Sequence, residues 1–169
     1  MPAVPVAVNI SALQFRQPQF EASVERALAE SGLEPAWLEL ELTESMMLHQ
    51  GQGATDLLDR LKARGVRLSI DDFGTGYSSL AYLKRLPLDK LKIDQAFVRD
   101  IASDAGGAAI TATIIQMAHN LGLSVIAEGV ETEAQLEFLQ AHDCASAQGF
   151  YFARPMPAAD IRAFWDGRR

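Results

Sequence analysis

Six side chains in this chain could do chemistry together: Asn9, Glu41, Asp71, Lys92, Glu128 and Gln148. Three are carboxylates, two are amides and one is an ammonium, and Asp72 adds a fourth carboxylate directly beside Asp71. Adjacent acids repel each other and are costly to half-bury unless cations neutralise them. Oxygen donors without histidine or cysteine suit the hard ions Mg2+ or Mn2+ better than Zn2+. Two such ions, roughly 3.5–4 Å apart, can share one carboxylate and stabilise both the attacking and the leaving oxygen of a phosphodiester. Asp71 is the natural bridge, and Asp72 can reach the second ion from the same turn. Lys92 can hold the nucleophilic water or neutralise phosphate, while Asn9 and Gln148 offer amide oxygens or orient a ligand. Singly, each residue has a plainer reading. Strand-end acids are usually solvated or salt-bridged, Lys92 would be a rim lysine, Asn9 a helix cap and Gln148 a turn former. Asp71-Asp72 with glycine alone would make an exposed acidic turn. Their joint occurrence, one per strand at the same end, is what points to a shared site.

What positions them is a strand followed by a helix, repeated six times. Val4, Val6 and Val8 alternate with smaller or polar residues up to Asn9, a period-two strand. Leu38, Leu40 and Leu42 alternate with Glu39 and Glu41, and Val66–Ile70 leads into Asp71. Leu91 and Ile93 flank Lys92, Ser124–Glu128 forms a fifth strand, and Ser146–Phe150 a sixth. Between them, helical spacing predicts helices from Pro18 to Ser31, Gly53 to Arg64, Ser78 to Arg85, around Ile110–Leu121, from Thr132 through Leu139, and around Ile161–Trp165. The six residues are separated by 32, 30, 21, 36 and 20 positions. A (β/α)₈ barrel uses roughly 31 residues per unit and gathers its chemistry at the carboxyl ends of its strands. The expected fold is therefore α/β, an incomplete TIM-type barrel with about six of eight strand–helix units. A six-stranded doubly wound sheet is the alternative, but it would bring together only the residues at its switch point.

Composition narrows the function. With 169 residues and a net charge of −7, the chain has one domain's worth of core and no basic stripe to clamp a long nucleic acid. A small anionic nucleotide remains open to it if metal ions supply the positive charge. The single Cys144 cannot form an intrachain disulfide and reads as core-lining, which fits a reducing compartment. No apolar run approaches a membrane span, and a cytoplasmic location is expected. His49, His119 and His142 do not recur at ligand spacing. Met46-Met47 reads as packing, and Trp37 and Trp165 read as core or edge aromatics.

At these residues the chain resembles the EAL domain family, the cyclic di-GMP phosphodiesterases of bacteria. The matching motifs are Asn9-Ile10-Ser11, Glu41-Leu42-Thr43-Glu44-Ser45, the ten residues from Asp71 to Leu80, Lys92-Ile93-Asp94, Glu128-Gly129-Val130-Glu131 and Gln148-Gly149-Phe150. The resemblance implies a (β/α)₈-type barrel and metal-dependent hydrolysis of cyclic di-GMP to linear pGpG. It implies Mg2+ or Mn2+, two ions in the intact family site, held by Asn9, Glu41, Asp71, Asp72 and Glu128. Lys92, Asp71 and Glu128 would be catalytic, with Lys92 beside the catalytic water. Glu131 and Gln148 would support the substrate. Glu44 would anchor the loop of Gly74, Thr75 and Gly76, a segment the family links to dimerisation and activity. The glutamate-alanine-leucine signature that names the family does not occur on a matching strand; Ala27-Leu28-Ala29-Glu30 lies in a predicted helix. Residues 1–169 are thus expected to be a single EAL-type domain lacking its first two strand–helix units. Weak or absent turnover is expected with it, and a homodimer through open barrel edges or through the Asp71–Leu80 loop region. The alternative function is a non-catalytic module that binds cyclic di-GMP or a protein partner.

Overall fold

The computed structural model describes residues 4–48, 52–74 and 80–167. Thr75, Gly76, residues 77–79 and His49 lie outside the described residues. The strands are β1 (Val6–Ile10), β2 (Leu38–Thr43), β3 (Arg67–Phe73), β4 (Lys90–Ile93), β5 (Ser124–Ala127) and β6 (Ser146–Ala147). The helices are α1 (Ala12–Phe15), α2 (Phe20–Ser31), α3 (Glu44–Leu48), α4 (Gln52–Ala63), α5 (Leu80–Leu83), α6 (Gln95–Asp100), α7 (Ala105–Asn120), α8 (Glu133–Ala141) and α9 (Ala158–Asp166). All the strand pairs are parallel, and the order in the sheet is β1-β2-β3-β4-β5-β6. Each strand lies beside its sequence neighbour, as in a barrel wall. The order never reverses, so the doubly wound alternative, which needs a switch point, does not apply.

The alternation read from the sequence sorts the sheet into two faces. Leu40, Leu42 and Leu68 pack with Phe20, Val24, Leu58 and Leu61 in one apolar cluster. Ile70, Leu91, Ile93 and Val125 pack with Val98, Ile114, Ile115 and Leu139 in a second. Both clusters lie between the sheet and its helices. The other face carries Asn9, Glu39, Glu41, Ser69, Asp71, Lys90 and Lys92, and Glu39, Glu41, Ser69, Asp71 and Lys92 there are buried. The helix ends follow local chemistry. Gly32 closes α2 in the left-handed region at φ 68°. Thr132 and Gln135 form a reciprocal capping box on α8, and Ser11 and Gln14 form one on α1.

Three expectations change. The sixth strand stops at Ala147 rather than Phe150. Gly149 passes so close to Val130 that a Cβ there would sit 2.2 Å from its carbonyl oxygen, and this turn ends the pairing. Ile110 is 49% exposed rather than on the buried face of α7, which Ile114, Ile115 and Ala118 supply. Phe164 and Trp165 bring no buried residue to α9. The remaining plain readings agree with the structure: Met46, Met47 and Cys144 are buried, and His142 stacks on Phe138.

Candidate active site

β2, β3 and β4 each deliver one charged side chain to the same end of the inner face, and the turn after β5 delivers a fourth. The point on which they meet is the ammonium of Lys92. Its Nζ lies 2.7 Å from Glu41 Oε2, 3.0 Å from Asp71 Oδ1 and 2.7 Å from Glu128 Oε1. Gln148 donates its amide N–H to Glu128 Oε1 at 2.8 Å. Asn9, with its amide nitrogen turned inward, donates to Glu41 Oε2 at 3.3 Å and Asp71 Oδ2 at 3.2 Å. Thus all six residues picked out by spacing converge.

Burial works against the charge on Lys92, but hydrogen bonds to Glu128, Glu41 and Asp71 outweigh it and hold the pKa above the ordinary lysine value. The ammonium is fixed as a cation. Burial raises the pKa of Glu128, and Lys92 only partly opposes this. Asp72 follows a different path. Its backbone takes φ 53°, rare for a residue with a side chain, at an irregularity in the β3–β4 pairing. Burial, the neighbouring Asp71 charge and a hydrogen bond to Asp94 hold its carboxyl above the ordinary range. Asp94 also caps α6 by accepting from Ala96 N at 2.7 Å. Sequence reading quoted Asp94 within a motif but assigned it no task. The adjacency of Asp71 and Asp72 was the signal that a neighbour must share their charge.

The donor set fits a hard divalent ion. Asn9, Glu41 and Asp71 bring amide and carboxylate groups to one place, and half a turn of the amide would add its oxygen to theirs. The cluster already gathers around a positive charge. Among the described residues no three carboxylates form an ion cage as they stand, because Lys92 occupies the centre of the cluster.

Glu44 is buried at the start of α3, and its Oε2 accepts from Gly74 N at 2.8 Å. This ties Gly74, just past the end of β3, to the start of α3. Gly74 sits at φ 97° against the Phe97 ring, where a Cβ would come within 2.7 Å. Glu44→Ala removes the acceptor and strands the Gly74 N–H. The expected cost is about 1–3 kcal/mol in urea unfolding, with faster hydrogen exchange at Gly74; unchanged exchange would show that the anchor does not hold the loop.

A cleft of about 620 Å³ opens beside the cluster, lined by Glu128, Glu131 and Gln148 together with Gln95, Arg154 and Trp165. That volume suits a nucleotide-sized ligand. Gln95 and Arg154 were not singled out from the sequence. Gln95 opens α6 and Arg154 lies in the irregular segment between β6 and α9, where a lone polar residue carries no signal.

The sequence model of the EAL domain matches residues 1–155. Among curated proteins, the chain is 51% identical over 158 residues to the bifunctional diguanylate cyclase/cyclic di-GMP phosphodiesterase MucR of Pseudomonas aeruginosa, an alignment covering 94% of this chain and 23% of MucR. Among solved structures, the PaMucR phosphodiesterase in complex with c-di-GMP superposes with a TM-score of 0.90 at 50% identity, covering 93% of this chain and 64% of that one. A manganese/cy-diGMP complex of Klebsiella pneumoniae BlrP1 superposes with a TM-score of 0.82 at 35% identity, covering 89% of this chain and 39% of BlrP1. The chain therefore spans about a quarter of the length of MucR.

Proposed function

The chain belongs to the EAL domain family, and from that premise we propose that it carries the site for metal-dependent hydrolysis of cyclic di-GMP to linear pGpG. The observation that carries this reading is the convergence of Glu41, Asp71 and Glu128 on Lys92, with Asn9 and Gln148 hydrogen-bonded to the same carboxylates. Asn9, Glu41, Asp71, Asp72 and Glu128 would hold Mg2+ or Mn2+. Bound there, the ions would polarise a phosphate oxygen and lower the pKa of water. Hydrolysis adds the water oxygen to phosphorus and breaks one P–O bond, and the departing ribose oxygen leaves as a hydroxyl. Lys92, a permanent donor, orients the attacking water or balances the phosphate charge. Asp71 and Glu128, both beside Lys92, are the carboxylates placed to handle the water's proton. Glu131, Gln148 and the cleft wall position the nucleotide. Glu44 holds Gly74, just past Asp71 and Asp72 in sequence, and by the family motif Thr75 and Gly76 belong with it as supporting residues.

A second reading, binding without turnover, is favoured by one observation: Lys92 holds the oxygens that ions need. Incubation with cyclic di-GMP and Mn2+ or Mg2+, followed by separation of nucleotides and measurement of bound ligand, decides between them. Linear product supports the hydrolase, and retained cyclic di-GMP without product supports the sensor. If neither is found, both readings are wrong.

We also propose a homodimer through the open sheet edge. Val4, Val6 and Val8 are 46%, 49% and 40% exposed, and among the described residues β1 pairs on one side only. Light scattering across a concentration series is expected to show a mass rising toward twice that of the chain; a constant monomer mass would refute it. No helix among the described residues is long and apolar enough to cross a membrane. A lone buried thiol, Cys144, supports work in the reducing cytoplasm.

A further inference from the structure

Ser69 lies on β3 two residues before Asp71, on the same inner face, while Leu68 and Ile70 on either side of it belong to the two apolar clusters. It is fully buried. Its hydroxyl is the one buried side-chain polar atom among the described residues with no hydrogen-bond partner. The groups around it are committed elsewhere. In the sheet register Ser69 is flanked by Glu41 on β2 and Lys90 on β4. Lys90 sends its ammonium across β3 to Glu39 at 2.5 Å. Two residues further along, Lys92 crosses β3 to Glu41 at 2.7 Å. Two lysine–glutamate rungs therefore bracket Ser69, and neither uses it.

We propose that Ser69 is a positioning residue for Lys92 that acts when divalent ions enter, its hydroxyl accepting the ammonium N–H that the carboxylates give up. The inference rests on reading the cluster as an ion site. An ammonium has three N–H donors, and the three of Lys92 face Glu41, Asp71 and Glu128. Ions would claim those same oxygens. Each oxygen turned toward an ion strands one N–H of a buried cation, and a stranded charged donor is costly to leave unpaired. Glu39 cannot relieve it, because Lys90 already holds that carboxylate. Ser69 Oγ has free lone pairs, and its register partner Lys90 stands two residues before Lys92, so Ser69 is a diagonal neighbour of Lys92 on the same face. The unpaired hydroxyl of the ion-free chain is thus an acceptor kept for the ion-loaded one.

The test uses Mn2+ alone, by calorimetric titration, together with thermal unfolding in EDTA. In Ser69→Ala the ion-free Tm is expected to stay or rise, because an unpaired buried hydroxyl is gone. Its Mn2+ affinity is expected to fall about tenfold, the scale of one charge-assisted hydrogen bond. Ser69→Thr, which keeps the hydroxyl, is expected to bind as the parent does. In a Lys92→Met background, titrated at a temperature where that variant is folded, Ser69→Ala is expected to change Mn2+ affinity less than twofold. Lys92→Gln replaces that background if the methionine variant does not fold. Parent-like Mn2+ affinity in Ser69→Ala, an equal loss in both backgrounds, or a lowered ion-free Tm would each overturn the proposal while leaving the ion site standing. Failure of the parent chain to bind Mn2+ would remove both.

Discussion

Lys92→Met is expected to cost the ion-free chain about 3–5 kcal/mol of stability, with Mn2+ returning most of the loss. Lys92 is 5% exposed, and its ammonium is shared by three carboxylates. Methionine matches its length but leaves Glu41, Asp71 and Glu128 crowded together with no cation between them. Breaking a buried ion pair from one side strands the other charge, which is where the cost arises. The sign with pH follows. Burial already raises the Glu128 carboxyl above its ordinary value against the pull of Lys92, and without Lys92 that rise is unopposed, so its folded pKa sits above the unfolded one. Stability of the variant then rises as pH falls through the folded value, opposite to ordinary acid denaturation. The parent behaves otherwise at the alkaline end. Its Lys92 pKa is raised on folding, so that contribution is complete below the unfolded lysine value and is lost as pH rises through the folded one. Divalent ions replace the missing charge and stabilise the fold in proportion to their occupancy. Urea unfolding of both chains, with and without Mn2+, at neutral and mildly acidic pH, provides the measurement. A variant as stable as its parent in EDTA would show that the cluster does not depend on its lysine.

The convergence around Lys92 was legible because the outward side chains are leucine, isoleucine and valine. Period-two alternation then points the polar residues at strand ends to the opposite face. The same alternation hid the layer beneath. Leu38–Leu42 reads as a strand with one wet face, yet Glu39 is 2% exposed because the inner face of a barrel wall is also closed. Glu39 and Ser69 are therefore buried on that inner face, and Lys90 beside them is half-buried. The short helices α1, α3 and α6 escaped for another reason. Each has six residues or fewer, and at α1 and α6 the first turn closes on one capping side chain, Ser11 or Asp94. No apolar stripe forms over so short a span. On α7, alanine, isoleucine, threonine and glycine surround the helix on most sides. The sequence pattern could not tell the exposed Ile110 from the buried Ile114. The break in β6 at Gly149 depends on how close the Val130 backbone comes, a contact between segments that no local pattern records.

Asp71→Asn is expected to lower any cyclic di-GMP hydrolysis by this chain about 10²–10³-fold, with Mn2+ affinity falling as well. Among Glu41, Asp71 and Glu128, Asp71 is the carboxylate whose two oxygens face different neighbours: Oδ1 meets Lys92 at 3.0 Å and the Asp72 backbone N–H at 3.0 Å, and Oδ2 meets Asn9 at 3.2 Å. It is therefore the group able to serve two ions at once. Asparagine keeps the shape and one acceptor oxygen for Asp72 N–H; it removes the charge and puts an NH2 where Oδ2 accepted from Asn9, whose amide can turn its oxygen to meet it. Lys92 retains Glu41 and Glu128, so the fold should lose no more than about 1 kcal/mol, the worth of a single hydrogen bond. This separation makes the variant informative, because a fall in rate without a fall in Tm isolates ion-assisted chemistry from packing. Turnover that survives Asp71→Asn at the parent rate would have to come from another protein in the preparation, or from a site that does not use this cluster. In either case the hydrolytic role assigned to Glu41, Asp71, Lys92 and Glu128 would be withdrawn.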